Sequence, residues 1–109
     1  MRLQVKGKHV AVDPAIREYA EAKFAHLEPQ LPGEIEVELE ISEEHSSTPL
    51  THVAEATVFT KGPALRARVV SNSDRLSIDR IVDKLDRQVT RYREKRRIEP
   101  RRHVPHHNA

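Results

Sequence analysis

The segment at residues 34–42 is the feature that most constrains the fold, because its letters, E-I-E-V-E-L-E-I-S, alternate between polar and aliphatic without interruption. Successive side chains of a strand point to opposite faces of a sheet, so a strand here has one aliphatic face and one face of glutamates. A single sheet that is covered on one side and wet on the other suits such a strand. The helices of the chain should therefore pack on the same face of that sheet.

Three further segments have the composition of strands. Residues 2–6, 52–60 and 64–71 place apolar side chains at every second position and are bounded by Gly, Pro or polar residues. Alanines in the 52–60 segment leave room for a helix to approach the sheet closely. The side chains that we expect to face the helices are Leu3, Val5, Ala54, Ala56, Val58, Leu65, Ala67 and Val69.

Two helices are predicted between and after these strands. The first has Asp13 as its N-cap and Pro14 at its first helical position. The second runs from Ser73 to Arg97, where no Gly or Pro interrupts the pattern, and Pro100 marks its end. The order β-α-β-β-β-α predicts an α+β fold in which a four-stranded mixed sheet carries both helices on one face.

The second helix divides its side chains into three sectors when each residue is turned by about 100° from the last. An apolar stripe should be buried, while an acidic sector and a basic stripe should stay exposed. A cation on each turn suits a phosphate backbone, but it equally suits a solvated face on which Asp and Arg pair one turn apart. The apolar stripe comprises Ile78, Ile81, Val82, Leu85, Val89 and Tyr92, the acidic sector Asp79, Asp83, Asp86 and Glu94, and the basic stripe Arg80, Lys84, Arg87, Arg91 and Lys95.

The charge of the chain is unevenly distributed. Residues 1–65 hold 6 Lys and Arg against 11 Asp and Glu, a net charge of −5, and residues 66–109 hold 13 against 6, a net charge of +7. Such a division indicates one surface for a polyanion, first of all nucleic acid, and another that is kept away from it. Aromatic residues make up only 4% of the sequence, so we expect RNA to be recognised by shape and phosphates rather than by base stacking.

The sequence offers little for catalysis or metal binding. It has no cysteine, no Gly-rich phosphate loop and no H-E-x-x-H or G-x-S-x-G motif. His103, His106 and His107 lie in residues 98–109, which are predicted to be a disordered basic tail outside the domain at residues 1–97, and such a tail makes a poor metal site. We therefore expect no enzyme activity, no cofactor, no metal and no small-molecule substrate. No signal peptide or membrane span is visible, so the protein is expected to be cytoplasmic.

Three segments carry a resemblance to a known family. They are D-P-A-I-R-E-Y-A-E-A-K-F-A-H-L-E at 13–28, A-E-A-T-V at 54–58 and S-I-D-R-I-V-D-K-L-D-R-Q-V at 77–89. Together with the order of the elements, they resemble the ribosome hibernation-promoting factor family, which includes the ribosome-associated translation inhibitor, over roughly residues 2–97. The run at 78–88 is the most specific, because it is close to the family's usual I-D-x-x-x-D-K-L-E-R-Q.

The resemblance implies a function as well as a fold. Members of the family bind the small ribosomal subunit in stress or stationary phase, lie in the decoding channel over the A and P sites, and contact ribosomal RNA. They inhibit translation by excluding mRNA and tRNA, and their fold is similar to a double-stranded-RNA-binding domain. Carried over by position, the family's basic residues fall on Lys84, Arg87, Arg91 and Lys23, to which helical periodicity adds Arg80 and Lys95, with Lys6, Lys8, Arg66 and Arg68 as weaker RNA-binding candidates.

The sequence departs from the family in two places. Where many members carry an acidic residue, Met and Tyr at the start of the last helix, this chain has Ser73-Asp74-Arg75. Long members add a C-terminal domain that pairs two ribosomes, whereas this sequence stops at Ala109. The chain is therefore either a short member of the family or a fragment of a long one, and ribosome dimerisation is expected only through a domain absent from this chain.

Two other functions remain open on the sequence alone. A general double-stranded-RNA-binding domain would bind an isolated RNA duplex about as well as a ribosome. A protein-interaction module would instead use the glutamate face of residues 34–42 to dock a basic partner. In that case neutralising Glu36 and Glu38 would abolish function, and the charges of the second helix would be dispensable.

Overall fold

The computed structural model describes residues 1–44 and 51–106, with side chains as far as residue 95. Its elements follow the predicted order. Strands β1, β2, β3 and β4 span Arg2–Gly7, Glu36–Glu44, Thr51–Phe59 and Ala64–Ser71, helices α1 and α2 span Pro14–Phe24 and Asp74–His106, and a short 3₁₀ helix at Ala25–Gln30 continues from α1.

The four strands form one mixed sheet in the order β1-β2-β3-β4, with β1 parallel to β2 and the other neighbouring pairs antiparallel. Its register places Val5, Leu39, Ala56 and Ala67 in one row across the face that meets the helices. The α+β fold predicted from the alternating pattern is thus confirmed. The likeness to a double-stranded-RNA-binding domain stays a prediction.

Strand β2 begins at Glu36, later than the alternating pattern indicated, because the chain turns just before it. The N–H of Ile35 donates to the carbonyl of Pro32 at 3.0 Å and closes that turn. The side chain of Ile35 is nevertheless buried in the core. The alternation therefore reports which side chains are buried, whereas the ladder of hydrogen bonds starts only where the turn ends.

Both helices cover the same face of the sheet, as the pattern predicted. Helix α1 buries Ala20 and Phe24, and the 3₁₀ helix buries Leu27. Five residues of the predicted apolar stripe of α2 are buried with them, and Tyr92 is half-buried. These five, Ile78, Ile81, Val82, Leu85 and Val89, share one core with the inward residues of the strands.

The start of α2 agrees with the prediction, but its end does not. The hydroxyl of Ser73 accepts the N–H of Leu76 at 3.1 Å, which makes Ser73 the N-cap. The helix then continues through Pro100 to His106, so the predicted stop at Pro100 is wrong. Proline removes one N–H and displaces one carbonyl, but the earlier turns are anchored on the sheet and the Arg and Glu residues around Pro100 favour helix. The division into a domain at residues 1–97 and a disordered tail at 98–109 stays a prediction.

Candidate nucleic-acid interface

Three of the predicted RNA-binding residues, Arg80, Lys84 and Arg87, lie together along a groove between α2 and β4. Arg68, one of the weaker candidates, lines the same groove, whose volume is about 370 Å³. All four side chains are exposed, and Asp83 also lines the groove. The three cations of α2 along this groove present donors at intervals that suit a chain of phosphates. This surface, defined by Arg68, Arg80, Lys84 and Arg87, is called the basic groove below.

Two further residues of the basic stripe extend beyond this groove. Arg91 and Lys95 are exposed and continue the same side of α2 at offsets of four residues. Because a helix rises about 1.5 Å per residue, the stripe from Arg80 to Lys95 is about 22 Å long. A rigid row of this length spans several consecutive phosphates.

Lys84 and the nearby Gln88 fasten α2 to the free edge of β4. The ammonium group of Lys84 donates to the carbonyl of Arg68 at 3.2 Å, and the amide of Gln88 donates to the carbonyl of Arg66 at 2.9 Å. Leu85, about 100° around the helix from Lys84, is fully buried in the core, so the core and the edge contacts together fix the rotation of α2. Lys84 carries three N–H donors, and two of them remain for a phosphate while one holds the helix.

The same contacts cover an exposed strand edge. Strands β1 and β4 are the outermost strands of the sheet, and their outward carbonyls would otherwise be free to pair with a strand of another molecule. On β1 the guanidinium of Arg17 donates to the carbonyl of Val5 at 2.8 Å. Helix side chains thus donate to outward carbonyls on both edges. The sequence pattern did not reveal this role of Arg17 and Gln88, because it depends on the pairing of distant segments.

Lys23, predicted from the resemblance, lies away from the basic groove. Its ammonium group is 3.6 Å from the carboxylate of Asp79, in a second groove between α1 and α2 that Asp83 and Asp86 also line. The acidic sector of α2 therefore separates Lys23 from the basic stripe. A role for Lys23 in RNA binding stays a prediction, and its only described ion pair is with Asp79.

Tyr19 joins the two helices at the same place. Its hydroxyl donates to a carboxylate oxygen of Asp79 at 2.6 Å, and the guanidinium of Arg75 and the ammonium of Lys23 lie 4.7 Å and 5.5 Å from its ring centre. This hydrogen bond raises the pKa of Tyr19 above its ordinary value, and burial and the negative charge of Asp79 act in the same direction. Arg75, which the sequence marked only as a departure from the family, is thereby held at the start of α2.

The open face of the sheet is less acidic than the glutamate ladder suggested. Lys6 lies 3.7 Å from Glu38 on the neighbouring strand, and Arg68 pairs with Glu44 and Glu55. Such pairs across strands stabilise a sheet and neutralise each other. The guanidinium of Arg68 is therefore already shared with two carboxylates, and a polyanion would compete with them for it.

The remaining weaker candidates are not gathered into one site. Lys6 and Arg66 lie on β1 and β4, at opposite edges of the sheet, and Lys8 lies in the bend after β1. All three are exposed. Of the four weaker candidates, Arg68 is the one that lines the basic groove.

Within residues 1–44 and 51–95, no group of three or more His, Asp or Glu side chains is arranged to hold a metal ion. None of the described helices has an apolar stretch long enough to cross a membrane.

The fold and the basic groove define a small α+β protein with a cationic surface where its last helix meets an edge strand. Comparison with known proteins identifies it more narrowly. Residues 3–97 match the family described as Sigma 54 modulation protein / S30EA ribosomal protein. The chain therefore belongs to this family, and the predicted membership of the ribosome hibernation-promoting factor family is confirmed.

Individual relatives agree with this assignment. The chain is 32% identical to the ribosome hibernation promoting factor of Salmonella typhimurium over 97 residues, which cover 87% of this chain and 96% of the relative. The crystal structure of the N-terminal domain of Protein Y from Thermus thermophilus superposes with a TM-score of 0.72 at 29% identity, covering 84% of this chain and 99% of that one. A ribosomal subunit interface protein from Coxiella burnetii superposes with a TM-score of 0.71 at 25% identity, covering 86% and 99%.

Proposed function

We propose that this protein is a ribosome hibernation factor that binds the small ribosomal subunit at the decoding channel and blocks access of mRNA and tRNA. The observation that carries the proposal is the basic groove, in a chain that belongs to this family. It gathers Arg80, Lys84 and Arg87 on a helix whose rotation is fixed by the core. The protein acts in the cytoplasm by occupying the decoding channel of idle ribosomes, and this mechanism involves no chemical step.

The distribution of charge gives the bound protein an orientation. The basic stripe of α2 faces the phosphates of ribosomal RNA, and each ion pair formed there releases counterions. The open face of the sheet, where Glu36, Glu38 and Glu40 lie on β2 and Lys6 balances only part of their charge, turns away from the phosphates. Described aromatic side chains do not form a stacking platform on that face, where Phe59 is exposed beside glutamates.

Co-sedimentation with separated small and large ribosomal subunits tests the proposal. Reversing Arg80, Arg87 and Arg91 to Glu should abolish binding to the small subunit, and it leaves the contact between Lys84 and β4 intact. A comparison variant reverses Arg2, Lys6 and Lys8, two of them weaker RNA-binding candidates, and changes the net charge by the same amount at the other edge of the sheet. We expect the comparison variant to keep most of its binding.

Three outcomes decide between the functions considered. Binding to the small subunit that resists excess duplex RNA, and that only the first triple variant loses, supports the proposal. Binding to both subunits that duplex RNA removes identifies a general double-stranded-RNA-binding domain. Loss of function on neutralising Glu36 and Glu38, with the α2 charges dispensable, identifies a protein-interaction module. Circular dichroism of each variant confirms that it remains folded.

A further inference from the structure

A further cavity, separate from the two grooves described above, lies where α2 passes the turn between β3 and β4. Its volume is about 630 Å³, which is within the range of about 300–1,000 Å³ typical of small-molecule sites. Leu31 and Ile35 line it and are each only 6% exposed. Tyr92 of α2 contributes an aromatic wall, and Lys61 and Arg93 contribute two cations.

The lining of this cavity combines apolar, aromatic, acidic and cationic side chains. An apolar floor beside an aromatic ring suits the faces of a nucleobase, and an arginine at the rim suits either stacking or a phosphate. Glu28 also lines the cavity, and its carboxylate can accept a hydrogen bond from the exocyclic amine of a base. Lys61 is only loosely paired, 3.8 Å from Glu34 and 70% exposed at its side chain, so a phosphate can replace that partner.

A network of hydrogen bonds holds one wall of the cavity in place. The amide nitrogen of Gln30 donates to Asp86 at 2.6 Å, and its amide oxygen accepts from Thr90 at 3.1 Å and from Arg93 at 3.4 Å. Gln30 therefore positions the guanidinium of Arg93 before any ligand arrives. A cation that is already oriented loses less conformational entropy when it binds a phosphate.

The turn between β3 and β4, which lines the cavity, lies near one end of the basic groove. Gln88 contacts the carbonyl of Arg66 near the start of β4, and one turn later Tyr92 lies beside Gly62, so close that a Cβ there would be 3.7 Å from its hydroxyl. An RNA strand that follows α2 from Arg80 toward Arg91 thus arrives at the turn that carries Lys61. The cavity opens just beyond it.

We infer that this cavity binds a single unstacked nucleotide, with the base against Leu31, Ile35 and Tyr92 and the phosphate on Arg93 and Lys61. The inference deepens the proposed function and rests on it where the nucleotide belongs to RNA. A free mononucleotide has the same chemistry, and the two sources are separated experimentally.

The first test is a ¹⁵N-¹H NMR titration of the folded chain with AMP, using adenosine and ribose 5-phosphate as partial ligands. AMP should shift the amides of Leu31, Ile35 and Lys61, and each partial ligand should bind more weakly. The variant Lys61→Gln/Arg93→Gln should weaken AMP about tenfold, as expected for lost charge-assisted hydrogen bonds, and leave adenosine unchanged. The control Arg80→Gln/Arg87→Gln should leave AMP binding unchanged.

The second test uses RNA. A duplex with a single-nucleotide bulge should shift the same cavity amides, whereas the fully paired duplex should shift only amides along the basic groove. Shifts with AMP but not with the bulged duplex support the site and assign it to free nucleotides. If neither ligand shifts the cavity amides, the inference is wrong. Co-sedimentation of the unaltered chain is scored separately, so failure to bind the small subunit overturns the proposed function and not this site.

Discussion

Truncating Leu85 to alanine tests the orientation of α2 most directly. Leu85 is completely buried, and removal of such a side chain costs about 2–5 kcal/mol, depending on how far the surroundings collapse into the space. Here collapse is restricted, because α2 is tied to the sheet on both sides of Leu85. The hydroxyl of Ser77 donates to the carbonyl of His52 at 2.8 Å, and Gln88 holds the carbonyl of Arg66. We therefore expect a loss of about 4 kcal/mol in the free energy of unfolding, near the upper end of that range.

The expected loss is large for a domain of this size. Small domains are stable by about 5–15 kcal/mol, and a loss of 1 kcal/mol lowers the melting temperature of a domain of about 100 residues by about 4–8 °C. Leu85→Ala should accordingly melt about 15–30 °C lower. Urea unfolding followed by circular dichroism measures the free energy, and a thermal scan measures the midpoint.

The matched control for this experiment is Val70→Ala. Val70 is 41% exposed on β4, so its truncation should change the free energy of unfolding by only about 0.5 kcal/mol. A loss below about 1 kcal/mol for Leu85→Ala would mean that a different face of α2 is buried. In that case the basic stripe would face a different direction, and the assignment of the basic groove as the RNA-binding surface would be wrong.

Two further predictions concern local contacts. The hydrogen bond from Tyr19 to Asp79 raises the pKa of Tyr19 above its ordinary value of 10.0, so the stability from this contact is present below pH 10.0 and is lost as the pH rises through the raised pKa. Asp79→Asn should lower the pKa of Tyr19, as read from phenolate absorbance in a Tyr92→Phe background, and an unchanged pKa would contradict the contact. Gly7→Ala should destabilise the fold by about 1–3 kcal/mol, as overpacking does, because a Cβ there would lie 2.1 Å from a backbone carbonyl oxygen, whereas Gly33→Ala, which meets nothing within 4 Å, should be neutral in the same urea assay.

The fold was accessible from the sequence because periodic burial is a local property. The alternation at residues 34–42 and the apolar stripe of α2 both depend on spacing within one segment, and the buried side chains of Val37, Leu39 and Ile41 follow it. The end of α2 was not accessible in this way. Whether a helix crosses a proline depends on what anchors the preceding turns, and a local rule for Pro100 does not contain that information.

The candidate site was predictable only in part, for the same reason. Arg80, Lys84 and Arg87 share one side of a single helix, so periodicity alone brought them together. Lys23 belongs to another helix, and its position relative to them depends on how α1 packs against α2, which places Asp79 between them. The cavity beside Tyr92 and Arg93 is lined by four separate segments, and the spacing of residues within any one segment does not predict it.

Protection of the sheet edge and presentation of charge are linked in this molecule. The outward carbonyls of Arg66 and Arg68 need donors that do not come from another strand, and α2 supplies them from Gln88 and Lys84. Because these contacts set the distance between α2 and β4, they also set the width of the basic groove. A substitution that frees the edge therefore disturbs the groove as well, even where it leaves Arg80 and Arg87 unchanged. Replacing Lys84 alone mixes the two effects, and this is why Arg80, Arg87 and Arg91 are the residues on which binding is to be tested.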